Sequence, residues 1–349
     1  MTDWLDRLTG DGLVANRLSE TAQIADMLRV EATYARACGH AGKVPLDMAE
    51  AAAAAIDAVS IDRAVLAEAA LRDGMPVPGL VMQIKAQVAA SLHSAVHQGL
   101  TSQDVMDTAL ILALREILED LEDRIQRLLT VLDTLEARFG DRPLMGRTRM
   151  QAALPVTAGH RIAGWRAPWD DHLARLDGMR PRLLKLQLGG PVGTRDSFDG
   201  FGDAIAGHMG SALGLEVPGK AWHTERSNLF ELACWLAGVA GSLGKIGTDL
   251  ALMAQQGVDE VGFASGGASS AMAHKSNPVR AELLVALSRD MAGHLAAQHL
   301  TLNHEQERSG ASWTLEWLVL PRMLTGCGAA LTAALDVLAD IDQIGGSAL

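Results

Sequence analysis

Leu114, Leu118, Leu121, Ile125, Leu128, Leu132, Leu135 and Phe139 recur at alternating steps of four and three, a heptad seam with no Gly or Pro before Gly140. At 1.5 Å per residue, a helix over 104–139 would be about 54 Å long. That exceeds what a small domain needs, so the seam predicts a long-helix bundle. A second seam runs Leu229, Leu232, Leu236, Val239, Leu243, Ile246, Leu250 and Met253, with Ala233, Ala237, Ala240, Gly241, Gly244 and Gly247 beside it. Glycine costs a helix interior about 1 kcal/mol against alanine. Several of them in a strongly periodic helix predict another helix pressed on that face, and we read 229–253 as an interface helix of an oligomer.

The rest of the chain supports helices of ordinary length. Ser19 and Thr21 precede an amphipathic stretch through Ile24, Met27, Leu28, Glu31 and Ala32, which Gly39 and Gly42 end. Pro45 opens an alanine-rich helix, and residues 73–79 break the chain before Leu80. The stretch 156–186 reads as helical, with Pro168 and Pro181 each expected to kink or break it. Helical spacing resumes after Pro278 to about 302, and a final helix is expected over 313–341. Nothing alternates strongly enough to call for a strand, and no repeat of fixed period stands out. The expected fold is all-α: an N-terminal helical domain over 1–100, a central long-helix bundle over 101–305 and a final helix over 306–349.

Composition narrows the function. Hydrophobic residues make up 48% of the chain and aromatics only 4%, a balance that suits helices packed through small side chains better than sheets. The net charge of −12 argues against a nucleic-acid partner. An anionic small molecule would need cations gathered locally. Cys38, Cys234 and Cys327 are scattered, which fits a reduced compartment and buried apolar roles. No signal peptide or membrane span is read from the sequence, so a cytoplasmic location is expected.

Four stretches combine polar groups in ways a core does not require. Residues 266–278 read Gly-Gly-Ala-Ser-Ser-Ala-Met-Ala-His-Lys-Ser-Asn-Pro. Two glycines allow such a segment to fold over a ligand and aim N–H groups at it, although turn-rich surface linkers share this composition. His97-Gln-Gly-Leu-Thr-Ser-Gln-Asp104 precedes the long helix. Thr101 and Asp104 form a capping box there, and the same helix start, with Thr101 and Ser102, can also hold a carboxylate. Gly146-Arg-Thr-Arg-Met-Gln151 supplies Arg149 and Gln151 in what could equally be a solvated turn. The run from His304 through Arg308 to Trp313, Glu316 and Trp317 places a charge cluster beside two tryptophans, the composition of a helix cap as well as of a site.

The first of these resembles the Gly-Ser-Ser-x-Met-Pro-x-Lys-x-Asn-Pro loop of the fumarase/aspartase (argininosuccinate lyase) superfamily. Ser269, Ser270, Met272, Lys275, Asn277 and Pro278 match in register, while Ala268 and Ala273 replace Gly and Pro. The other three stretches follow the superfamily's order, and residues 96–108, 186–194 and 307–317 are similar to its bacterial 3-carboxy-cis,cis-muconate cycloisomerase branch. Arg149 stands where the fumarate-releasing lyases carry a catalytic His, and that branch lacks the His too. The family's C-terminal domain is expected to be absent or reduced, and Ser276 replaces a commonly basic loop position.

The resemblance implies an enzyme that stabilises an aci-carboxylate without metal or organic cofactor, in a homotetramer whose sites are shared by three subunits. It implies Lys275 and Asn277 on the carboxylate that becomes the aci-acid, assisted by Ser270. Thr101 and Ser102 would grip a second carboxylate, and Arg149, Gln151 and Arg308 a third. Ser269, Lys275 and His97 are the candidates for moving the proton. The rival readings are a fumarate-releasing lyase, a 3-sulfomuconate cycloisomerase and a non-catalytic helical scaffold.

Overall fold

The computed structural model describes residues 3–265, 267–268 and 276–345. Short helices lead in: α1 (Asp3–Thr9), α2 (Gly12–Arg17), α3 (Glu20–His40), α4 (Leu46–Asp57), α5 (Arg63–Asp73) and α6 (Val77–Gln87). The heptad seam then forms α7 (Ser102–Phe139), a 38-residue helix about 57 Å long. A hairpin of β1 (Pro143–Thr148) and β2 (Gln151–Thr157) follows, then α8 (Ala158–Arg166), α9 (Pro168–Leu183) and α10 (Gly202–Leu213). The second seam is α11 (Ser227–Met253). After it come β3 (Val261–Phe263), β4 (Gly267–Ala268), β5 (Ser276–Asn277), α12 (Val279–Leu300), α13 (Ala311–Ala339) and β6 (Ile341–Ile344).

The long helices bundle because each seam needs apolar cover. Leu114 through Leu135 of the first seam and Leu229 through Met253 of the second are buried in one continuous core. Their direction can be read from cross-links. Arg226, just before α11, bonds Asp107 of α7 and Glu316 of α13, so all three helices start at the same end. Lower down, Arg124 of α7 donates to Thr332 of α13 at 2.9 Å. At the opposite end Glu260 N–H bonds Met253 O, and Gly345 N–H bonds Glu260 O. We call the two ends the head, at Ser102, and the tail, at Phe139.

The glycines of α11 do meet a helix, but within the chain. A Cβ on Gly247 would lie 2.5 Å from the Ala281 carbonyl, and one on Gly244 would lie 2.5 Å from Ser288 Cβ, both on α12. These two glycines therefore report an internal contact and not one between copies, which removes them as an argument for an oligomer. Gly241 faces open space.

Three other expectations need amendment. The 156–186 stretch begins in β2, and Pro168 divides α8 from α9, while Pro181 sits in the last turn of α9. The 143–157 hairpin escaped the strand search because β2 is exposed on both faces, so burial imposes no alternation on it. Cys234 is exposed, unlike Cys38 and Cys327. By length and composition α11 and α13 could each cross a membrane, with mean hydropathy 1.4 and 1.5. Here both are spent on the centre of the bundle.

Candidate active site

The head of α7 is tied to a glycine-rich loop by one carboxylate. Asp104 accepts from the Thr101 N–H at 3.1 Å, as a capping box requires. Its two oxygens also take the N–H groups of Gly189 and Gly190 at 2.8 and 2.9 Å, and His223 Nε2 at 2.9 Å. Asp104 thus anchors the 189–191 loop against the helix start. Glycine is required at 190, where φ is +71° and a Cβ would meet Ser197 Oγ at 2.2 Å. Arg308 reaches the same loop, donating to Pro191 O at 2.9 Å.

Behind this lies a buried ion triad. The Arg226 guanidinium bonds Asp107 at 2.6 and 3.0 Å and Glu316 at 3.0 and 2.5 Å, and stacks over Trp222. Burial alone would lower its pKa, but the two carboxylates outweigh burial and hold it well above the ordinary arginine value. Such a triad locks the heads of α7, α11 and α13 together. Burial, and then Arg226, hold nearby His304 below the ordinary histidine value.

A cavity of about 360 Å³ opens beside the triad, between α3, the α5–α6 turn, α7 and α13. Its ionisable walls are Asp26, Asp107 and Glu316, all acidic, among Met75, Met106, Leu110 and Trp317. Those walls repel a polyanion, so we place no substrate there.

His97 sits four residues before the helix cap. Its φ of +59° is unusual for a residue with a side chain, and its Nδ1 lies 2.5 Å from Glu31 Oε1. The head therefore gathers His97, Thr101, Ser102 and Arg308 from two separate stretches of sequence. Glu31, His223 and Arg226 were not singled out from sequence, although Glu316 of the triad lies in the charge cluster named there. A His three residues before an Arg at a helix start was the available signal for His223, and Glu31 looked like one more charge in an amphipathic stretch.

Arg149 and Gln151 lie at the other end. Arg149 and Met150 form the two-residue turn of the hairpin with φ of +49° and +67°, angles that such turns normally give to Asn and Gly. Arg147 anchors the hairpin to Glu260 at 2.5 Å. Asn277 pairs with Gly267 and lines a tail groove of about 300 Å³ with Phe263, Ser265, Arg280 and Asp340. Ser269, Ser270 and Lys275 lie outside the described residues. The candidate residues of one chain consequently fall into two groups, one at the head of α7 and one toward its tail.

Residues 8–293 match the lyase family. A 3-carboxy-cis,cis-muconate cycloisomerase of Pseudomonas aeruginosa is 39% identical over 330 residues, covering 93% of this chain and 72% of that protein. An N-acetyl-S-(2-succino)cysteine lyase of Dickeya dadantii is 32% identical, over 92% of this chain and 71% of that one. Among solved structures, the 3-carboxy-cis,cis-muconate lactonizing enzyme of Pseudomonas putida superposes with a TM-score of 0.91 at 34% identity. That match covers 98% of this chain and 77% of that one. With most of its length matched in both sequence and structure, the chain belongs to the lyase family, the fumarase/aspartase superfamily its motifs resemble.

Proposed function

We propose that this enzyme is an intramolecular lyase that closes 3-carboxy-cis,cis-muconate to its 4-carboxymuconolactone, one step in the breakdown of aromatic acids. The observation that carries this reading is Arg149, held at a strained turn tip in the position that the motif resemblance gives to a catalytic His of fumarate-releasing lyases. A guanidinium cannot act as a base near neutrality, but it neutralises a carboxylate well. Similarity to the Pseudomonas aeruginosa cycloisomerase points the same way.

In this mechanism the substrate arrives with three carboxylates on an otherwise acidic protein, so binding depends on cations placed at the site. Lys275 and Asn277, with Ser270, hold the carboxylate whose neighbouring carbon takes up the charge. Thr101 and Ser102 hold another at the positive end of α7. Arg149, Gln151 and Arg308 hold the third. One substrate carboxylate oxygen bonds to an alkene carbon, and the π electrons move to the adjacent carbon and its carboxylate. A proton from Ser269, Lys275 or His97 then completes the lactone.

Because the two groups of candidate residues lie at opposite ends, each working site takes its parts from different copies, in a homotetramer. Exposed apolar surface supports this. Met150 and Leu154 on the hairpin are 74% and 73% exposed, and α12 leaves Ala286, Ala292, Gly293 and Ala296 uncovered beyond its contacts with α11 and α13. A cytoplasmic location accompanies this reading.

The test follows the diene's ultraviolet absorbance as enzyme is added to 3-carboxymuconate and, separately, to 3-sulfomuconate. Adenylosuccinate and argininosuccinate are assayed for fumarate. Loss of absorbance with the carboxy compound is expected. Fumarate release, or an unchanged diene, would contradict the assignment.

A further inference from the structure

Glu31, on α3, is fully buried, and its Oε2 has no hydrogen-bond partner among the described residues. Its Oε1 is 2.5 Å from His97 Nδ1, and the His97 side chain is 17% exposed at the head. The backbone around the histidine is also constrained. His97 has a positive φ, and the Tyr34 hydroxyl on α3 donates to the next carbonyl, Gln98 O. Packing alone would be served better by an apolar pair than by a buried carboxylate with one partner. Strained backbone persists where the surroundings over-determine it, and it clusters at reacting groups. A carboxylate on Nδ1 fixes the imidazole's tautomer and orientation, which turns Nε2 toward its task.

We propose that the Glu31–His97 pair is the proton source of the lactonisation, with His97 as the donor and Glu31 as the positioning residue that holds its imidazole. This rests on the cycloisomerase reading above. As the substrate oxygen bonds to one alkene carbon, the π pair passes to the neighbouring carbon and its carboxylate. The imidazolium Nε2–H proton then goes to that carbon, and the N–H electron pair stays on Nε2. What remains is a neutral imidazole whose Nδ1–H still donates to Glu31, and water resupplies the proton.

Two variants of the full chain test this with 3-carboxymuconate. Glu31→Gln keeps the shape and an acceptor for Nδ1–H but removes the charge that balances an imidazolium. It should assemble and melt like wild type, keep KM within about threefold and lose about 10- to 100-fold in kcat. His97→Gly suits the left-handed backbone, so it should fold, lose about 100-fold or more in kcat, and regain part of it with imidazole in the buffer. That rescue should weaken in the Glu31→Gln background. A Glu31→Gln enzyme with kcat within about twofold of wild type, or a His97→Gly enzyme unresponsive to imidazole, would overturn the proposal while leaving the cycloisomerase reading intact. Wild-type enzyme inert toward 3-carboxymuconate would sink both.

Discussion

Arg149 sets the residue-scale question, because its backbone is costly and its side chain carries the proposed distinction between the rival chemistries. Non-glycine residues in the left-handed region store about 1–3 kcal/mol each. Arg149→Gly should therefore melt no lower than wild type, and turnover of 3-carboxymuconate should fall by about 100-fold. Unchanged kcat/KM would show that the position does not serve the reaction. Asp11 tests electrostatics away from the site. Burial alone would raise its carboxyl pKa, but hydrogen bonds from Arg124 and the Val14 N–H outweigh burial and hold it below the usual range. A depressed carboxylate adds stability above its unfolded pKa of about 4 and loses it as pH falls through the folded value. The melting-temperature gap between wild type and Asp11→Asn should thus be full at pH 7 and narrow as pH falls below the ordinary carboxylate value. Of the head residues, His97, Thr101, Ser102 and Arg308 were legible because each lies in a polar motif. Glu31 was not, since only the folded chain shows that a charge on an amphipathic helix has turned inward to a histidine 66 positions away.

Among the elements, the seams of α7 and α11 were readable over nearly their full length, because long buried stripes impose a period that few other constraints disturb. The 143–157 hairpin was invisible for the opposite reason: neither of its faces is consistently buried. The glycines of α11 were recognised as a close-approach surface, but sequence alone could not say which helix would arrive. Their partner is α12, where Gly247 lies under the Ala281 carbonyl and Leu284. Adding one methyl there must push two helices apart. Gly247→Ala should cost about 1–3 kcal/mol of stability despite alanine's better helix propensity, and Gly241→Ala, facing open space, should not. Thermal melts of the two variants, run side by side, check this. Equal melting temperatures would mean that α11 and α12 do not touch as described.

For the whole molecule, the parallel course of α7, α11 and α13 decides how a site can be built. His97, Thr101 and Arg308 stand at the head, while Arg149 and Asn277 stand toward the tail of a bundle whose longest helix, α7, runs about 57 Å. A small triacid cannot reach from one group to the other, so the proposed site requires the two ends of different copies. The motifs propose which residues act together, and the fold places those residues at opposite ends of one copy. The direct test is to mix a head variant, His97→Gly, with a tail variant, Arg149→Gly, under conditions that let subunits exchange, and to assay 3-carboxymuconate turnover. If sites are shared between copies, equal mixing of the two nearly inactive enzymes should restore about a quarter of wild-type activity, because some sites then receive both intact halves. Activity that stays at the level of the parents, although sedimentation shows mixed oligomers, would contradict the account.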